Sequence, residues 1–459
     1  MRSFHSAALA STLAFAGITN ALQVDVSSVQ SISDAAKTIA SNIIGIYEGK
    51  NGSPSIPGLF PDPYYFWESG LAWDSLINYW ALTGDDTYND RISEALLFQS
   101  NGEELDFAPA NQSKSLGNDD QSTWALAAMT AAEKGFPSSL FQIDGQQTTN
   151  LWAQMAQTVF DEQVLRWDTK FCGGGLRWQI FSFNNGYDYK NSISNGNFMQ
   201  LAARLAKYTG NQTYSDWALK ASKWSFDSGL IADGSFNVYD GASTTQCKQL
   251  NRIMWSSSVG TYLSGYSYLS NMGSNQQYHT YAPKLLGNAL KVFAKNGIVT
   301  EVACSGAGTC NVDQLAFRAT YARALVDAKY IDTGDSIDTD AIDAVLKASA
   351  EGAAAQCSGG PDGSRCGSDW SSSEWDGTWG LGQYLSALEI LLANIPDKGT
   401  QTSDDNSSSP SNATSTMSGT PSGTAGSAST GPAATGAANA LSGSVFGLLG
   451  ALAVAVAFL

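Results

Sequence analysis

Two adjacent carboxylates stand in the sequence Gly-Asn-Asp-Asp-Gln at residues 117–121 of a chain that also carries 13 Trp and 18 Tyr. Ionisation of Asp119 disfavours ionisation of Asp120, so neighbouring carboxyls acquire different proton affinities. One proton donor beside one ionised carboxylate is what cleavage or transfer of a glycosidic bond requires. Acidic residues are also favoured in the first turn of a helix. The local pattern alone therefore leaves a catalytic and a purely structural interpretation open.

The scarcity of histidine supports catalysis by carboxylates. The chain has two histidines, of which His5 lies in a segment predicted to be removed, so only His279 remains for a catalytic triad. Sites with two histidine ligands are thereby excluded, and no cysteine pair has zinc-site spacing. We predict no metal and no cofactor, although oxygen-ligated calcium stays open. The net charge of −17 argues against nucleic acid as a partner.

An aromatic cluster precedes a predicted helix at residues 67–82. Its sequence at 63–68 is Pro-Tyr-Tyr-Phe-Trp-Glu, and the first tyrosines fall in a loop, where their rings would be open to a sugar. Core packing is the alternative for the rings, and Glu68 would equally suit a solvated helix position. The candidates for sugar contact in this cluster are Tyr64, Tyr65, Trp67 and Glu68.

A glycine-rich segment reads Cys-Gly-Gly-Gly-Leu-Arg-Trp-Gln at 172–179 and continues as Asn-Asn-Gly-Tyr-Asp-Tyr-Lys-Asn at 184–191. Three consecutive glycines allow the backbone to approach another group closely. No Gly-Lys-Ser/Thr follows that would indicate a phosphate loop. Aromatic and β-branched residues around an Asn-Gly turn predict a β-hairpin at 176–189. A purely structural hairpin is the alternative to a binding site. The candidates for sugar subsites here are Trp178, Tyr187, Lys190 and Asn195.

Apolar residues recur at three- and four-residue steps in about a dozen segments, which indicates helices. The predicted helices cover residues 29–48, 67–82, 86–99, 119–134, 148–166, 193–209, 214–228, 252–272, 281–296, 311–331, 339–355 and 377–393. Thr-Gly-Asp-Asp-Thr-Tyr at 83–88 is echoed by Thr-Gly-Asn-Gln-Thr-Tyr at 209–214, as expected of repeated helical hairpins. We predict an all-α (α/α)6 toroid, with an irregular α-solenoid as the alternative. In a toroid the last loop meets the first helices, so Asp376 is a candidate for ligand contact or a helix cap.

The two ends of the chain predict export and anchoring. Residues 1–21 combine a basic start, an apolar stretch and small residues, which indicates a signal peptide, with a membrane anchor as the alternative. Residues 399–436 are rich in Ser, Thr, Gly, Pro and Ala and predict a disordered, O-glycosylated stalk. The apolar tail lacks basic residues after it, so 437–459 is predicted to be a GPI-attachment propeptide. Spacer length favours Gly436 as the attachment residue, with Ala437 and Asn439 as alternatives. The folded domain is expected at 22–398, on the outer membrane face or in the cell wall.

Cysteines and sequons fit that compartment. An even number of cysteines in an oxidising environment suggests three disulfides, and fifteen connectivities are possible. Proximity favours Cys304–Cys310 and Cys357–Cys366, which leaves Cys172–Cys247. Sequons predict N-glycosylation at Asn51, Asn111, Asn211, Asn406 and Asn412.

The motifs at 116–121, 172–179 and 184–191 resemble glycoside hydrolase family 76, in particular its fungal GPI-anchored mannan endo-1,6-α-mannosidases. The resemblance covers roughly residues 22–395. It implies an (α/α)6 fold, a retaining mechanism, and α-1,6-mannan or the mannose of a GPI glycan as substrate. It also implies a role in cell-wall biogenesis, including the linking of GPI proteins to wall β-glucan. By this resemblance, Asp119 would be the nucleophile and Asp120 the acid/base.

Three other functions are alternatives to a mannoside hydrolase. A transglycosylase differs only in the acceptor that reaches the covalent intermediate. A non-catalytic mannan-binding wall protein would use the same aromatic groove. An unsaturated glucuronyl hydrolase fits less well, because an acidic sugar would favour a basic cleft, whereas this chain is strongly acidic.

Overall fold

The computed structural model describes residues 22, 24–49, 52, 54, 56–137, 142–143, 146–147, 150–270, 272, 278–332 and 336–396. Its helices are α1 Val29–Glu48, α2 Phe66–Thr83, α3 Asn89–Gln99, α4 Asn118–Lys134, α5 Asn150–Leu165, α6 Ser192–Thr209, α7 Gln212–Ser228, α8 Ser256–Ser270, α9 Tyr278–Phe293, α10 Val312–Tyr330, α11 Thr339–Gln356 and α12 Leu381–Leu392. Its strands are β1 Gln142–Ile143, β2 Gln146–Gln147, β3 Tyr189–Asn191, β4 Gly241–Ser243, β5 Leu250–Asn251, β6 Ala294–Lys295, β7 Ile298–Val299, β8 Cys357–Gly359 and β9 Arg365–Cys366. All strand pairs are antiparallel.

The even-numbered helices form a closed inner ring. Each packs against the next, from α2 through α4, α6, α8 and α10 to α12, and α12 packs back against α2. Each odd-numbered helix lies outside this ring against one or two of the inner helices. This arrangement is an (α/α)6 toroid, which confirms the predicted fold, because an α-solenoid would leave the ring open.

Burial distinguishes the inner helices from the outer ones. All residues of α8 and α12 are buried, whereas α1 buries only the face that carries Ile32, Ile39 and Ile43. Inner helices approach closely where glycine removes a side chain. A Cβ atom on Gly196 of α6 would lie 2.1 Å from Thr261 Oγ1 of α8, so any larger residue would force these two helices apart.

Ion pairs along the axis connect four inner helices. Arg204 of α6 lies 2.7 Å from Glu133 of α4, and Arg323 of α10 lies 2.9 Å from Asp74 of α2. Both guanidinium groups also donate to the hydroxyl of Thr130, at 2.9 and 3.2 Å. Because these groups are largely shielded from solvent, each charge needs its partner. The network therefore fixes the inner ring from within.

Local signals mark the ends of several helices. Gly84 and Gly210 end α2 and α6 in the left-handed conformation, with φ of 77° and 71°. Each leads from an inner helix to the next outer one, so the two echoed motifs at 83–88 and 209–214 are equivalent turns of the repeat. Asn191 and Asn311 begin α6 and α10 by accepting a backbone N–H in their side chains.

The predicted hairpin at 176–189 is wrong. Trp178 N donates to Tyr189 O at 2.7 Å, but the chain between them forms irregular turns. Strand pairing begins only at β3, whose partner is β4 and not the segment before it. The other side of this loop pairs with residues before α4, where Ile180 N donates to Leu116 O at 3.1 Å. The backbone partners come from distant parts of the chain, which a local pattern does not reveal.

The structure contains the three disulfides Cys172–Cys247, Cys304–Cys310 and Cys357–Cys366, which confirms the predicted pairing. The sequon residues Asn111 and Asn211 are exposed. Asn51, Asn406, Asn412, Gly436 and the predicted signal peptide, stalk and propeptide lie outside the described residues. Within the described part of the chain, no helix is long and apolar enough to cross a membrane.

Candidate active site

A cavity of about 630 Å³ follows the axis of the inner ring. Its lining extends along α2 from Trp67 to Leu82 and along α10 from Asp313 to Tyr330. A volume of this size is typical of ligand sites. At one end the cavity is lined by residues in the first turns of inner helices, including Asp119 and Asp313. Further along the axis it is lined by the ion-paired residues Arg204 and Arg323.

Asp119 and Asp120 lie in the first turn of α4 and both line this cavity. Gly117 N donates to Oδ2 of Asp120 at 2.7 Å. Oδ1 of Asp119 accepts the backbone N–H of Asp120 at 3.1 Å, and its Oδ2 accepts Nδ2 of Asn191 at 3.4 Å. A Cβ atom on Gly117 would lie 2.2 Å from Asp119 Oδ1, so any side chain there would displace this carboxyl group. The two carboxyls begin the helix and also face the cavity.

The two carboxyls differ in proton affinity. Burial raises the pKa of Asp119 to about 7, while the backbone donors and Asn191 act in the opposite direction. Burial also raises the pKa of Asp120, and the negative charge of Asp119 adds to that increase, leaving it well above its ordinary value. Asp120 is therefore the member that keeps its proton, and Asp119 is the member that ionises first. Such a division is the basis of acid–base pairs in enzymes.

A third carboxylate, Asp313, was not predicted from the sequence. It lies in the first turn of α10 and lines the cavity, where its Oδ1 accepts the indole N–H of Trp67 at 2.8 Å. Burial raises its own pKa, and its negative charge raises the pKa of both Asp119 and Asp120. The capping signal at Asn311 indicates the helix start, but only ring closure brings this start to the cavity.

Asp240 and two aromatic rings form a further part of the lining that the sequence did not predict. Asp240 accepts the indole N–H of Trp255 at 2.9 Å and the hydroxyl of Tyr189 at 2.6 Å. The ring of Phe317 lies 5.5 Å from that of Trp255 and 5.9 Å from that of Trp67. The cavity thus offers apolar ring faces beside carboxylate acceptors, a combination suited to the C–H faces and hydroxyls of sugars.

Three of the residues predicted to contact sugar line the cavity. Tyr65 and Trp178 are 51% and 38% exposed, and Trp67, in the first turn of α2, contacts Asp313 of α10. A Cβ atom on Gly186 would lie 2.3 Å from the ring of Trp178, so this glycine allows the ring to pack across its own loop. Their placement is compatible with substrate contact, which stays a prediction.

Lys190 and Asn195 are buried, and the prediction that they contact sugar directly is wrong. Lys190 Nζ donates to the carbonyl of Asp168 at 2.8 Å and to two further backbone carbonyls of the same loop. The side chain of Asn195 accepts the N–H of Leu176 at 2.8 Å and donates to its carbonyl at 3.0 Å. Both side chains use their polar atoms to hold the glycine-rich loop.

Glu68 and Tyr64 also hold structural positions. Glu68 is fully buried, its Oε2 accepts the N–H of Tyr65 at 2.8 Å, and burial raises its pKa to about 8. The hydroxyl of Tyr64 accepts the N–H of Leu381 at 3.1 Å and so connects the start of α2 to α12. Neither residue belongs to the cavity lining that the described residues form. Full burial makes direct sugar contact by Glu68 wrong, whereas sugar contact by Tyr64 stays a prediction.

Tyr187 and Asp376 are not among the residues that line the described cavity, and their ligand contacts stay predictions. The ring of Tyr187 packs on the guanidinium of Arg177 at 4.4 Å. Asp376 accepts three backbone N–H groups, including that of Thr378 at 2.8 Å. Asp376 thus organises its own loop, whereas the sequence pattern had suggested ligand contact or a cap of the last helix.

Comparisons with known proteins agree with this geometry. Residues 31–406 match the family model described as glycosyl hydrolase family 76. The Saccharomyces cerevisiae protein named mannan endo-1,6-alpha-mannosidase DCW1 is 43% identical over 378 residues, which are 82% of this chain and 81% of that protein.

Solved structures share the fold. Dfg5 from Chaetomium thermophilum, in complex with glucosamine, has a TM-score of 0.75 and 36% identity over 81% of this chain and 92% of that chain. An inactive variant of the α-1,6-mannanase GH76A of Salegentibacter sp. HEL1_6, in complex with α-1,6-mannotriose, has a TM-score of 0.62 and 17% identity. That comparison covers 79% of this chain and 99% of the mannanase chain. The variant carries asparagine at two consecutive aspartate positions.

Proposed function

Because the chain belongs to glycosyl hydrolase family 76, we propose that it is an endo-acting glycosidase that cleaves α-1,6-mannosidic linkages with retention of configuration. The observation that carries this proposal is the pair of cavity-lining carboxyls, Asp119 and Asp120, with different proton affinities. The yeast relative at 43% identity is named for this activity. The two consecutive aspartates replaced in the inactive Salegentibacter variant are in keeping with it.

In the first step, Asp120 carries a proton and Asp119 is ionised. The carboxylate of Asp119 attacks the anomeric carbon of a mannose unit, and the bond from that carbon to the glycosidic oxygen breaks. Asp120 donates its proton to the departing oxygen. The products of this step are a mannosyl ester on Asp119 and a free sugar chain with a new hydroxyl. Asn191 holds the attacking carboxylate in place through its amide.

In the second step, Asp120 is ionised and acts as the base. It removes a proton from an incoming hydroxyl, whose oxygen attacks the anomeric carbon and releases Asp119. Two inversions return the α-configuration. Water as the incoming group gives hydrolysis, and a sugar hydroxyl gives transfer.

The mouth of the cavity suits a polymer. Tyr65 and Trp178 are exposed and also line the cavity, so their rings extend the binding surface from the interior toward solvent. Sugar rings stack their C–H faces on such aromatic surfaces. An enzyme that cleaves inside a chain needs this kind of open surface, because the substrate continues beyond the reacting unit.

We further propose that the enzyme acts outside the cell, held by a GPI anchor. The basis is the sequence at 1–21 and 399–459, with Gly436 as the attachment residue. Three disulfides in the folded domain support an oxidising compartment. A phosphatidylinositol-specific phospholipase should release the protein from intact cells, and a Gly436→Pro variant should lose this membrane-bound fraction. Retention of the wild-type protein inside cells would contradict the proposal.

Product analysis tests the catalytic proposal and separates its two forms. Purified protein would be given a defined α-1,6-mannooligosaccharide with a β-1,6-glucan fragment as acceptor, beside Asp119→Asn and Asp120→Asn controls. Shortened mannosides followed by NMR and mass spectrometry establish hydrolysis, and mannosyl–glucan adducts establish transfer. Binding of mannan without turnover by the wild-type protein would contradict catalysis and favour a mannan-binding wall protein.

A further inference from the structure

We propose that the loop at 178–188 carries a sugar-binding platform outside the cavity, formed by the exposed ring of Phe183 stacked on Phe181. It would hold a mannose unit of the same chain that is bound in the cavity and so increase activity on long substrates. This inference rests on the proposed mannosidase function and deepens it.

The platform consists of two parallel rings. The centroids of Phe181 and Phe183 lie 5.3 Å apart, and their planes differ by 11°. Phe181 is half-buried and packs against the core, which anchors the pair. The two rings form an offset stack in which Phe181 supports part of one face of Phe183, and Phe183 is 70% exposed to solvent. An open, supported ring face is what stacking on a sugar requires.

The platform lies at the mouth of the cavity. Trp178 and Gln179 line the cavity before the platform, and Asn184 and Asn185 line it directly afterwards. Phe183 is bonded to Asn184, which places their Cα atoms about 3.8 Å apart. Its side chain is not part of the lining and points to solvent. A chain that leaves the cavity past this loop therefore meets the open ring.

Hydrogen bonds hold the loop in this position. Asn184 N donates to Phe181 O at 3.0 Å, and its side chain donates to Ser113 O at 3.0 Å. Ile180 N donates to Leu116 O at 3.1 Å, two residues before Asn118 begins α4. The platform is thus fixed relative to the carboxyl pair of α4. A preformed surface costs little conformational entropy when it binds.

The expected occupant is a neutral sugar of the substrate chain. A phenyl ring has no hydrogen-bonding group, so it favours a pyranose face that presents C–H groups. Single exposed apolar side chains are ordinary, but this ring is stacked, fixed and continuous with the cavity mouth. An endo-acting enzyme binds long chains, so mannose units of the same substrate extend beyond the cavity and can reach the ring.

The test compares substrates of different length. We would measure kcat and KM of the full-length protein on three-unit and eight-unit α-1,6-mannooligosaccharides for Phe183→Ala, Phe183→Trp and the wild type. Phe183→Ala should lower kcat/KM on the long substrate about 2- to 10-fold through KM, the range expected for one aromatic contact. The short substrate should be unaffected, and Phe183→Trp should retain wild-type values. Phe98→Ala is the matched control, because Phe98 is 54% exposed on outer helix α3.

Other results would overturn the inference. Equal losses on both lengths would mean that the ring supports the loop only. Unchanged kcat/KM on both substrate lengths in Phe183→Ala would show that the ring does not bind the substrate. If the variant changed only the oligomeric state, the occupant of the ring would be a second copy of the protein. If the wild type cleaves no α-1,6-mannoside, the proposed function itself fails. Calorimetric binding of the eight-unit chain to wild type and Phe183→Ala would then still decide whether the platform binds sugar.

Discussion

The side chain of Asn191 connects two helices at the candidate active site: its Nδ2 lies 3.4 Å from Oδ2 of Asp119, and its Oδ1 accepts the N–H of Ser194 at 3.3 Å. The second contact begins α6, and the first holds a carboxylate of α4. The cap of one inner helix therefore positions the proposed nucleophile on its neighbour.

Replacing Asn191 by serine separates these two roles. Serine is a good helix cap but is too short to reach Asp119. Since the amide favours the ionised carboxylate, its loss should raise the pKa of Asp119 and move the acidic limb of the kcat profile to higher pH. We expect kcat to fall about 10-fold while the free energy of unfolding changes by less than about 0.5 kcal/mol. An unchanged pH profile would show that the contact with Asp119 has no catalytic role.

Asp313→Asn tests electrostatic coupling across the cavity. The charge of Asp313 raises the pKa of Asp119 and Asp120, so its removal should lower both. Both limbs of the kcat/KM profile should then move to lower pH, because these limbs report ionisation in the free enzyme. Asp216→Asn on outer helix α7 is the matched control, since Asp216 is exposed and lies outside the described cavity lining. A shift to higher pH in Asp313→Asn would contradict the coupling.

Lys190→Met should destabilise the fold without a specific effect on substrate binding. The ammonium group is buried and donates to three carbonyls, which methionine would leave without their donor. The free energy of unfolding should fall by about 2–4 kcal/mol, measured by urea denaturation. Lys114→Met is the control, because Lys114 lines the cavity but is exposed, and its stability should change little. If the Lys190→Met variant were stable and had a raised KM, this result would support direct sugar contact by Lys190.

The sequence predicts well those features that depend on neighbouring residues. Helix periods and the glycines that end α2 and α6 act within one or two turns. For the same reason the pair Asp119 and Asp120 was identified, because both residues of the site lie in one motif. Repetition of these local units favours a toroid or a solenoid, and the contact of α12 with α2 decides for the toroid.

Features that arise from ring closure were not predictable in this way. Asp313 shares a cavity with Asp119 only because α10 and α4 belong to one closed ring. Lys190 resembles a binding residue in the sequence, yet its acceptors are carbonyls about twenty residues earlier. Burial and long-range pairing decide such roles, and neither is visible in the order of polar and aromatic residues.

The buried carboxyl of Glu301 should make the free energy of unfolding depend on pH. It is 1% exposed, accepts the N–H of Ser256, and burial raises its pKa to about 7. Because this pKa lies above the unfolded value of 4.5, the contribution to stability is full below 4.5 and is lost as the pH rises through 7. The contribution of Glu301 to the free energy of unfolding should fall by about 1–3 kcal/mol between pH 5 and pH 8, in addition to that of other buried carboxyls such as Glu68. Glu301→Gln should flatten this slope in urea denaturation; an equally steep slope in the variant would exclude Glu301 as its source.

The central claim is that Asp119 forms a covalent mannosyl ester while Asp120 transfers the proton. A fluorinated α-mannosyl fluoride, which forms the ester readily and loses it slowly, would be incubated with the protein and the peptides mapped by mass spectrometry. We predict a single mannosyl label on Asp119, present in the wild type and in Asp120→Asn and absent in Asp119→Asn, which should also lose at least about 1,000-fold in kcat. A label on Asp120, or turnover of α-1,6-mannosides that gives β-configured products, would contradict the claim.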